Sequence, residues 1–307
     1  MNGYGNGNRP ISSHTRKAQR CLLNCARAFA LVLIAVLISQ VANANIFSND
    51  RRHDLSSVPT VLQPVGILRT AANPESWGTA FLVGQCHIAT AFHVAFPGHK
   101  SPDFKPSTEA QAVFHVGKSE GQLRDQFLAK SKAHPVAWGD FHTRDFSGLS
   151  GDWAILELES CLGRHYGWVQ IEKPASMGVD SRADAVSLAT YPIDRRDRPG
   201  MTFESNCRVR ETVAPGLSAM DCALIEGGSG GPVLEYYEGA TVESSGYSLV
   251  GIAIRRLTPV DEVLPEYDVA HANIMVMSDV FAAAVKRLTG LASDLKWRLI
   301  PQKVQSP

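Results

Sequence analysis

The chain has 307 residues, 44% of them apolar, with Lys+Arg and Asp+Glu balanced at 30 each. That composition excludes a disordered or collagen-like chain and leaves ample material for a buried core. The balance conceals an asymmetry: residues 1–44 carry five basic side chains (Arg9, Arg16, Lys17, Arg20, Arg27) and no acidic one, so 25 basic face 30 acidic residues in the remainder. A body with that charge has no general attraction to nucleic acid or to anionic lipid.

The basic stretch ends at Arg27 and is followed by an apolar run from Ala28 to Ile38, then by Ala42-Asn43-Ala44. Small residues at those two alanine positions are what signal peptidase reads. The run is about 11 residues, short of the roughly 20 that span a bilayer as a helix. The pattern predicts a signal peptide over 1–44, cleaved after Ala44, and a secreted or periplasmic mature chain with no stable membrane association. An uncleaved anchor is the competing reading. Export changes how the cysteines are read. Cys21 and Cys25 leave with the leader, and Cys86, Cys161, Cys207 and Cys222 remain. Four cysteines in an oxidising compartment suggest two disulfides, with three connectivities open. No C-x-x-C or H-x-x-x-H pair follows residue 44, which argues against zinc.

After an N-terminal extension over 45–59, short apolar segments alternate with Gly, Pro, Asp and Ser. Expected strands are Val65–Leu68, Thr79–Val83, Ile88–Ala91, Gln111–Val116, Trp153–Leu158, Val186–Thr190, Thr202–Val209, Cys222–Ile225, Pro232–Glu235 and Tyr247–Ile254. Their brevity and β-branched or aromatic character indicate an all-β sandwich or barrel. No helices alternate with them, so a parallel α/β sheet is not expected. A Pro- and Gly-containing stretch near Lys173–Val179 reads as a linker between two halves. One amphipathic helix is expected near the C-terminus. Ser278 is its N-cap candidate, Val280, Phe281, Ala284, Val285 and Leu288 form one face, and Gly290 stops it.

Three segments carry chemistry. Cys86-His-Ile-Ala-Thr-Ala-Phe-His93-Val follows Gly78-Thr-Ala-Phe-Leu-Val-Gly. Gly151-Asp152-Trp-Ala-Ile-Leu comes second, and Glu226-Gly227-Gly228-Ser229-Gly230-Gly231-Pro232 third. A serine hydroxyl is a weak nucleophile and needs an adjacent base; an imidazole base needs a carboxylate to fix its tautomer. Glycines beside Ser229 let backbone N–H groups converge on one point, where they could hold a developing oxyanion.

Together these segments resemble the chymotrypsin/trypsin superfamily, and most of all its bacterial, glutamyl-endopeptidase-like branch. Thr-Ala-Phe-His93 is similar to the family's Thr-Ala-Ala-His, with Phe92 in place of alanine. Asp152-Trp-Ala-Ile-Leu is similar to its Asp-(apolar)-Ala-Leu-Leu strand. Gly227-Gly228-Ser229-Gly230-Gly231-Pro232 is similar to Gly-Asp-Ser-Gly-Gly-Pro, with Gly228 replacing the aspartate. Leu249–Ala253 resembles the strand that flanks the substrate backbone. The resemblance spans roughly residues 48–290 and implies two packed antiparallel β-barrels, over 60–172 and 173–275, with a C-terminal helix and tail over 276–307. It implies a serine endopeptidase with the triad His93, Asp152 and Ser229. The oxyanion hole would be the N–H groups of Gly227 and Ser229, and Ala223 and Ala253 would lie at the substrate pocket. Disulfides Cys86–Cys161 and Cys207–Cys222 would each stay within one barrel. The expected partner is a protein or peptide substrate, with no nucleic acid, metal or cofactor.

Two rivals differ in class. Gly227-x-Ser229-x-Gly231 formally matches the nucleophile elbow of α/β-hydrolases, but that fold requires an acid and then a histidine after the serine, on a parallel sheet. Only His271 follows Ser229. The other rival is a silent protease-like binding module, which presence of all three triad residues does not favour. His134 and His142 read as solvated loop histidines, and Asp194–Arg198 as a charged turn or a processing site. Arg255-Arg256, just past the substrate-flanking strand, could favour acidic substrate residues.

Overall fold

The apolar segments pair into two closed rings. In the computed structural model, which describes residues 44–55, 58–101, 103–116, 127–142, 145–171, 185–195, 200–237, 246–258 and 263–290, the first ring holds β1 (Val65–Thr70), β2 (Asn73–Leu82), β3 (His87–Thr90), β4 (Ala112–Val116), β5 (Ala129–Trp138) and β6 (Ala154–Leu158). Residues 1–43 of the expected leader, the expected Lys173–Val179 linker, residues 196–198 of the charged turn and the tail beyond Gly290 lie outside the described residues. The second ring holds β7 (Ala185–Thr190), β8 (Thr202–Ala214), β9 (Leu217–Met220), β10 (Pro232–Tyr237), β11 (Gly246–Arg256) and β12 (Asn273–Met277). Hydrogen-bonded neighbours run β1-β2-β3-β6-β5-β4 around the first and β7-β8-β9-β12-β11-β10 around the second, so both rings share one strand order. Every pairing in the rings is antiparallel.

Alternation along the strands divides the core in three. Leu68, Leu82, Ile88, Phe114, Ala133 and Leu156 represent the six strands of the first ring in one cluster. Leu188, Val209, Met220, Val233, Val250 and Met275 do the same for the second. Residues of opposite parity, such as Ile67, Phe81, Ala89 and Ile155 from one ring and Leu217, Leu234, Leu249 and Ile274 from the other, form a third cluster that joins the two. Strands buried on both faces explain why they read as nearly continuous apolar runs.

Three barrel strands escape the sequence reading. β5 carries Pro135 and alternating Lys and Ser, and its ladder with β6 shifts register between Pro135 and Ala137. Proline removes a ladder donor, so a strand around it reads as a loop. β9 is only four residues long, and β12 runs to Met277, two residues past the expected boundary. The expected strand Cys222–Ile225 contracts to Leu224–Ile225, which pairs outside the barrels, with Ala44–Asn45.

That pairing belongs to a strap over residues 44–55. Asn45 donates from Nδ2 to the carbonyls of Thr258 (2.9 Å) and His271 (2.6 Å). Phe47 packs on Tyr267, and His53–Asp54 adds a short rung to β8. Arg52 is buried and paired with Asp50 (2.7 Å) and Asp194 (2.9 Å).

The C-terminal helix α3 (Asp279–Thr289) follows two single-turn helices, α1 (Phe92–Ala95) and α2 (Gly163–Tyr166). Phe281 and Val285 bury against the third core cluster. Ser278 occupies the cap position but makes no side-chain cap bond, and Val280, expected on the apolar face, is 36% exposed. Gly290 ends the helix in the left-handed region, φ 64°. Among the described residues no helix is long and apolar enough to cross a membrane.

Candidate active site

β3 ends at Thr90, and α1 turns the chain so that His93 stands at the edge of the first barrel. Phe92 anchors that turn by packing on Phe96 (ring centroids 4.7 Å) and Phe141 (5.2 Å). Asp152 follows a 3-10 turn, Ser147–Gly151, just before β6. Asp152 is 1% exposed, and its carboxylate accepts from His93 twice: from the backbone N–H at 3.0 Å and from Nδ1 at 2.9 Å. A carboxylate only accepts, so Nδ1 carries a hydrogen, and in the neutral ring Nε2 is the nitrogen with the lone pair. Of the other two nearby aspartates, Asp140 is exposed, and Asp145 accepts from the Ser147 hydroxyl and the Gly148 N–H, which hold its carboxyl below the usual range.

Ser229 lies on a turn of unusual backbone. Gly227 and Gly230 have φ of +85° and +88°, and a Cβ on Gly230 would stand 2.1 Å from the Thr79 carbonyl. Only glycine meets both demands there. The carbonyl of Glu226 accepts from Ile193 N at 2.7 Å, and that of Gly228 accepts from Gly231 N at 3.0 Å. In a planar trans peptide the N–H points opposite to the C=O, so fixing these two carbonyls fixes the N–H directions of Gly227 and Ser229. Among the described residues no carbonyl takes either N–H. The Ser229 hydroxyl donates to the Ile254 carbonyl at 3.0 Å. The structure thus joins His93 to Asp152 directly, while Ser229 is held from β11.

No protein-family model matches the chain, and no curated protein matches it in sequence. Solved structures do match. A Glu endopeptidase solved in complex with MPD superposes with a TM-score of 0.54 at 13% identity, over 80% of this chain and 100% of its own. The protease Anisep from Arthrobacter nicotinovorans gives 0.51 at 14% identity, over 76% of this chain and 99% of its own. The fold is that of the chymotrypsin-like serine proteases.

Within the chymotrypsin-like fold the two expected pocket residues fall in different surroundings. Ala253 is buried inside the second barrel, and its N–H and C=O pair with Gly231 and Gly230. Ala223 packs with Ile46 of the strap and with Ile225. Its N–H donates at 2.6 Å to Glu204, a buried carboxylate also held by Arg51 at 3.1 Å. Burial is the first cause that pushes the Glu204 carboxyl up; Ala223 N–H and Arg51 oppose it, and Asp221 adds to it. Arg255 is exposed, and Arg256 ends β11.

Both expected cysteine pairs stand at disulfide distance, with Cα–Cα separations of 4.0 Å for Cys86 and Cys161 and 4.9 Å for Cys207 and Cys222. His134 sits on the surface beside Glu157 at 3.6 Å; His142 lies against Gly148. Among the described residues no group of three acidic, His or Cys side chains could hold a metal ion. Sequence reasoning passed over Thr79, His99 and Glu204. His99 donates from Nδ1 to the Phe96 carbonyl at 2.9 Å with its ring 6.1 Å from that of His93.

Proposed function

We propose that the protein is an exported serine endopeptidase that cleaves peptide bonds through an acyl-enzyme. The observation that carries this is the doubly hydrogen-bonded Asp152–His93 pair in a chymotrypsin-like fold whose nucleophile turn presents a half-buried serine. The Ser229 hydroxyl leaves the Ile254 carbonyl by rotation about χ1 and gives its proton to Nε2 of His93 as Oγ attacks the scissile carbonyl. The negative oxygen that forms is met by the N–H groups of Gly227 and Ser229. His93 then protonates the leaving amine, and water hydrolyses the ester by the same route in reverse. Asp152 orients His93 and stabilises its cation; no cofactor takes part.

Export through an N-terminal leader supports, and is supported by, the two cysteine pairs at bonding distance.

The test is labelling with a fluorophosphonate probe, identification of the modified residue, and comparison of peptide with ester substrates. Label on Ser229 with peptide turnover supports the reading. Folded protein that takes no label is a binding module, and label with ester turnover alone makes it an esterase.

A further inference from the structure

Two carbonyls of the nucleophile turn remain to be accounted for, those of Gly227 and Ser229. Both are held by one residue of the other barrel. Thr79 on β2 donates from its hydroxyl to the Gly227 carbonyl at 2.8 Å and from its backbone N–H to the Ser229 carbonyl at 2.9 Å. The same hydroxyl accepts from Tyr191 N at 3.0 Å, and Tyr191 closes the β7 end of the turn. The Thr79 carbonyl in turn accepts from the Thr90 hydroxyl at 2.7 Å, three residues before His93. Thr79 and Thr90 are both fully buried.

The location explains why Thr79 is free to do this. β2 pairs with β3 only at Phe81↔Ala89 and Leu82↔Ile88. Two residues earlier the strands diverge, and the hydroxyl and N–H of Thr79 face the second barrel instead. With Ile193 and Gly231 holding the carbonyls of Glu226 and Gly228, all four consecutive carbonyls from 226 to 229 are taken. A turn pinned at every carbonyl cannot rotate one peptide without breaking a hydrogen bond, and each buried group so orphaned carries a desolvation penalty.

We infer that Thr79 is a positioning residue for the reaction: its side chain locks the Gly227 peptide, and through it the N–H groups that face the developing oxyanion. It touches no reacting atom. It also ties that turn to the segment carrying His93, so base and oxyanion donors are set by one buried residue. The inference rests on the serine-endopeptidase reading above.

The test replaces only the hydroxyl. Thr79→Val keeps shape and backbone N–H but removes the donor to Gly227 and the acceptor for Tyr191. Misplaced oxyanion donors act on the transition state and not on ground-state binding, so kcat should fall about 10- to 100-fold with KM within about twofold. The fluorophosphonate labelling rate of Ser229 should fall by a similar factor, and Thr79→Ser should restore both. Thr79→Ala serves as a second hydroxyl-free variant, each assayed well below its melting midpoint. Labelling and kcat of Thr79→Val within threefold of the parent would overturn the inference, as would equal impairment of Val and Ser variants. If Val and Ala variants fail to fold while Ser folds, the hydroxyl serves folding, and the inference is again lost. A parent protein that takes no label at Ser229 removes the endopeptidase reading itself; a labelled parent with an equally reactive Thr79→Val removes only this inference.

Discussion

The backbone N–H and the ring Nδ1–H of His93 converge on the one buried carboxylate of Asp152, at 3.0 and 2.9 Å. The double contact fixes both where His93 sits and which nitrogen is bare. Replacing Asp152 with asparagine or alanine should therefore lower kcat by about 10⁴. Ser229→Ala or His93→Ala should cost about 10⁶, with the double variant little worse, because the residues act as one unit. Asp145→Ala, which only loosens a local turn, should leave kcat within a few-fold. Steady-state kinetics on a peptide substrate checks the set, and abolished turnover in Asp145→Ala with activity kept in Asp152→Ala would reassign the carboxylate.

The cysteine pairs close loops of different size, with sequence separations of 75 and 15. On chain-entropy grounds the shorter crosslink should be worth about 3 kcal/mol and the longer about 4. Non-reducing peptide mapping should recover Cys86–Cys161 and Cys207–Cys222. Denaturant titration of the Cys207→Ala/Cys222→Ala double variant should show a loss near the smaller figure. A Cys86–Cys222 peptide would rule this pairing out.

Gly228 stands where the resemblance to trypsin-type proteases implies an aspartate, which in those zymogens pairs with a freed N-terminal ammonium. Its N–H donates to Ile225 at 2.8 Å, and a Cβ there would lie 2.9 Å from that carbonyl and 3.1 Å from Leu224 Cδ1. The turn closes locally and leaves no room for a carboxylate and its partner. Ala44, directly ahead of Asn45, pairs with Ile225. A chain carrying a short uncleavable extension before Asn45 should thus match one starting at Asn45 in kcat/KM within a few-fold. A hundredfold loss in the extended form would show that a free N-terminus is required. Gly228→Asp should lose most activity in either form.

His87 and His99 are both held below their ordinary value of 6.5, first by burial. Glu157 partly offsets this for His87. For His99 the Phe96 carbonyl and Asp152 oppose it, while His93 and Lys100 add to it. With folded values below unfolded ones, the unfolded chain binds more protons just below pH 6.5, so stability is full above that pH and falls as pH drops through the folded values. The melting midpoint should decline as pH is lowered from about 7.5 to about 5. The His87→Gln/His99→Gln double variant should show a shallower decline, and an unchanged slope would mean that other groups control it.

Local patterns carried much of this protein. Short apolar segments broken by Gly and Pro announce barrel strands because burial on both faces leaves an apolar run of strand length between turn residues. The Thr-Ala-Phe-His93, Asp152 and Gly-Gly-Ser229-Gly-Gly segments are legible because each needs particular neighbours within a few residues. β5 was hidden by Pro135, whose ladder defect is tolerated only because the surrounding strands hold the register. The tertiary structure alone decided the rest. Nothing near Thr79 in sequence marks it as the clamp on Gly227, 148 positions away, nor Asn45 as the partner of Thr258, 213 positions away. Hydrogen bonds between distant segments leave no period and no spacing, since a single buried threonine or asparagine meets them wherever the fold delivers it. The Ser229 hydroxyl is likewise directed to Ile254 by the packing of β11 against the nucleophile turn, a relation between two segments that only the closed second barrel brings together.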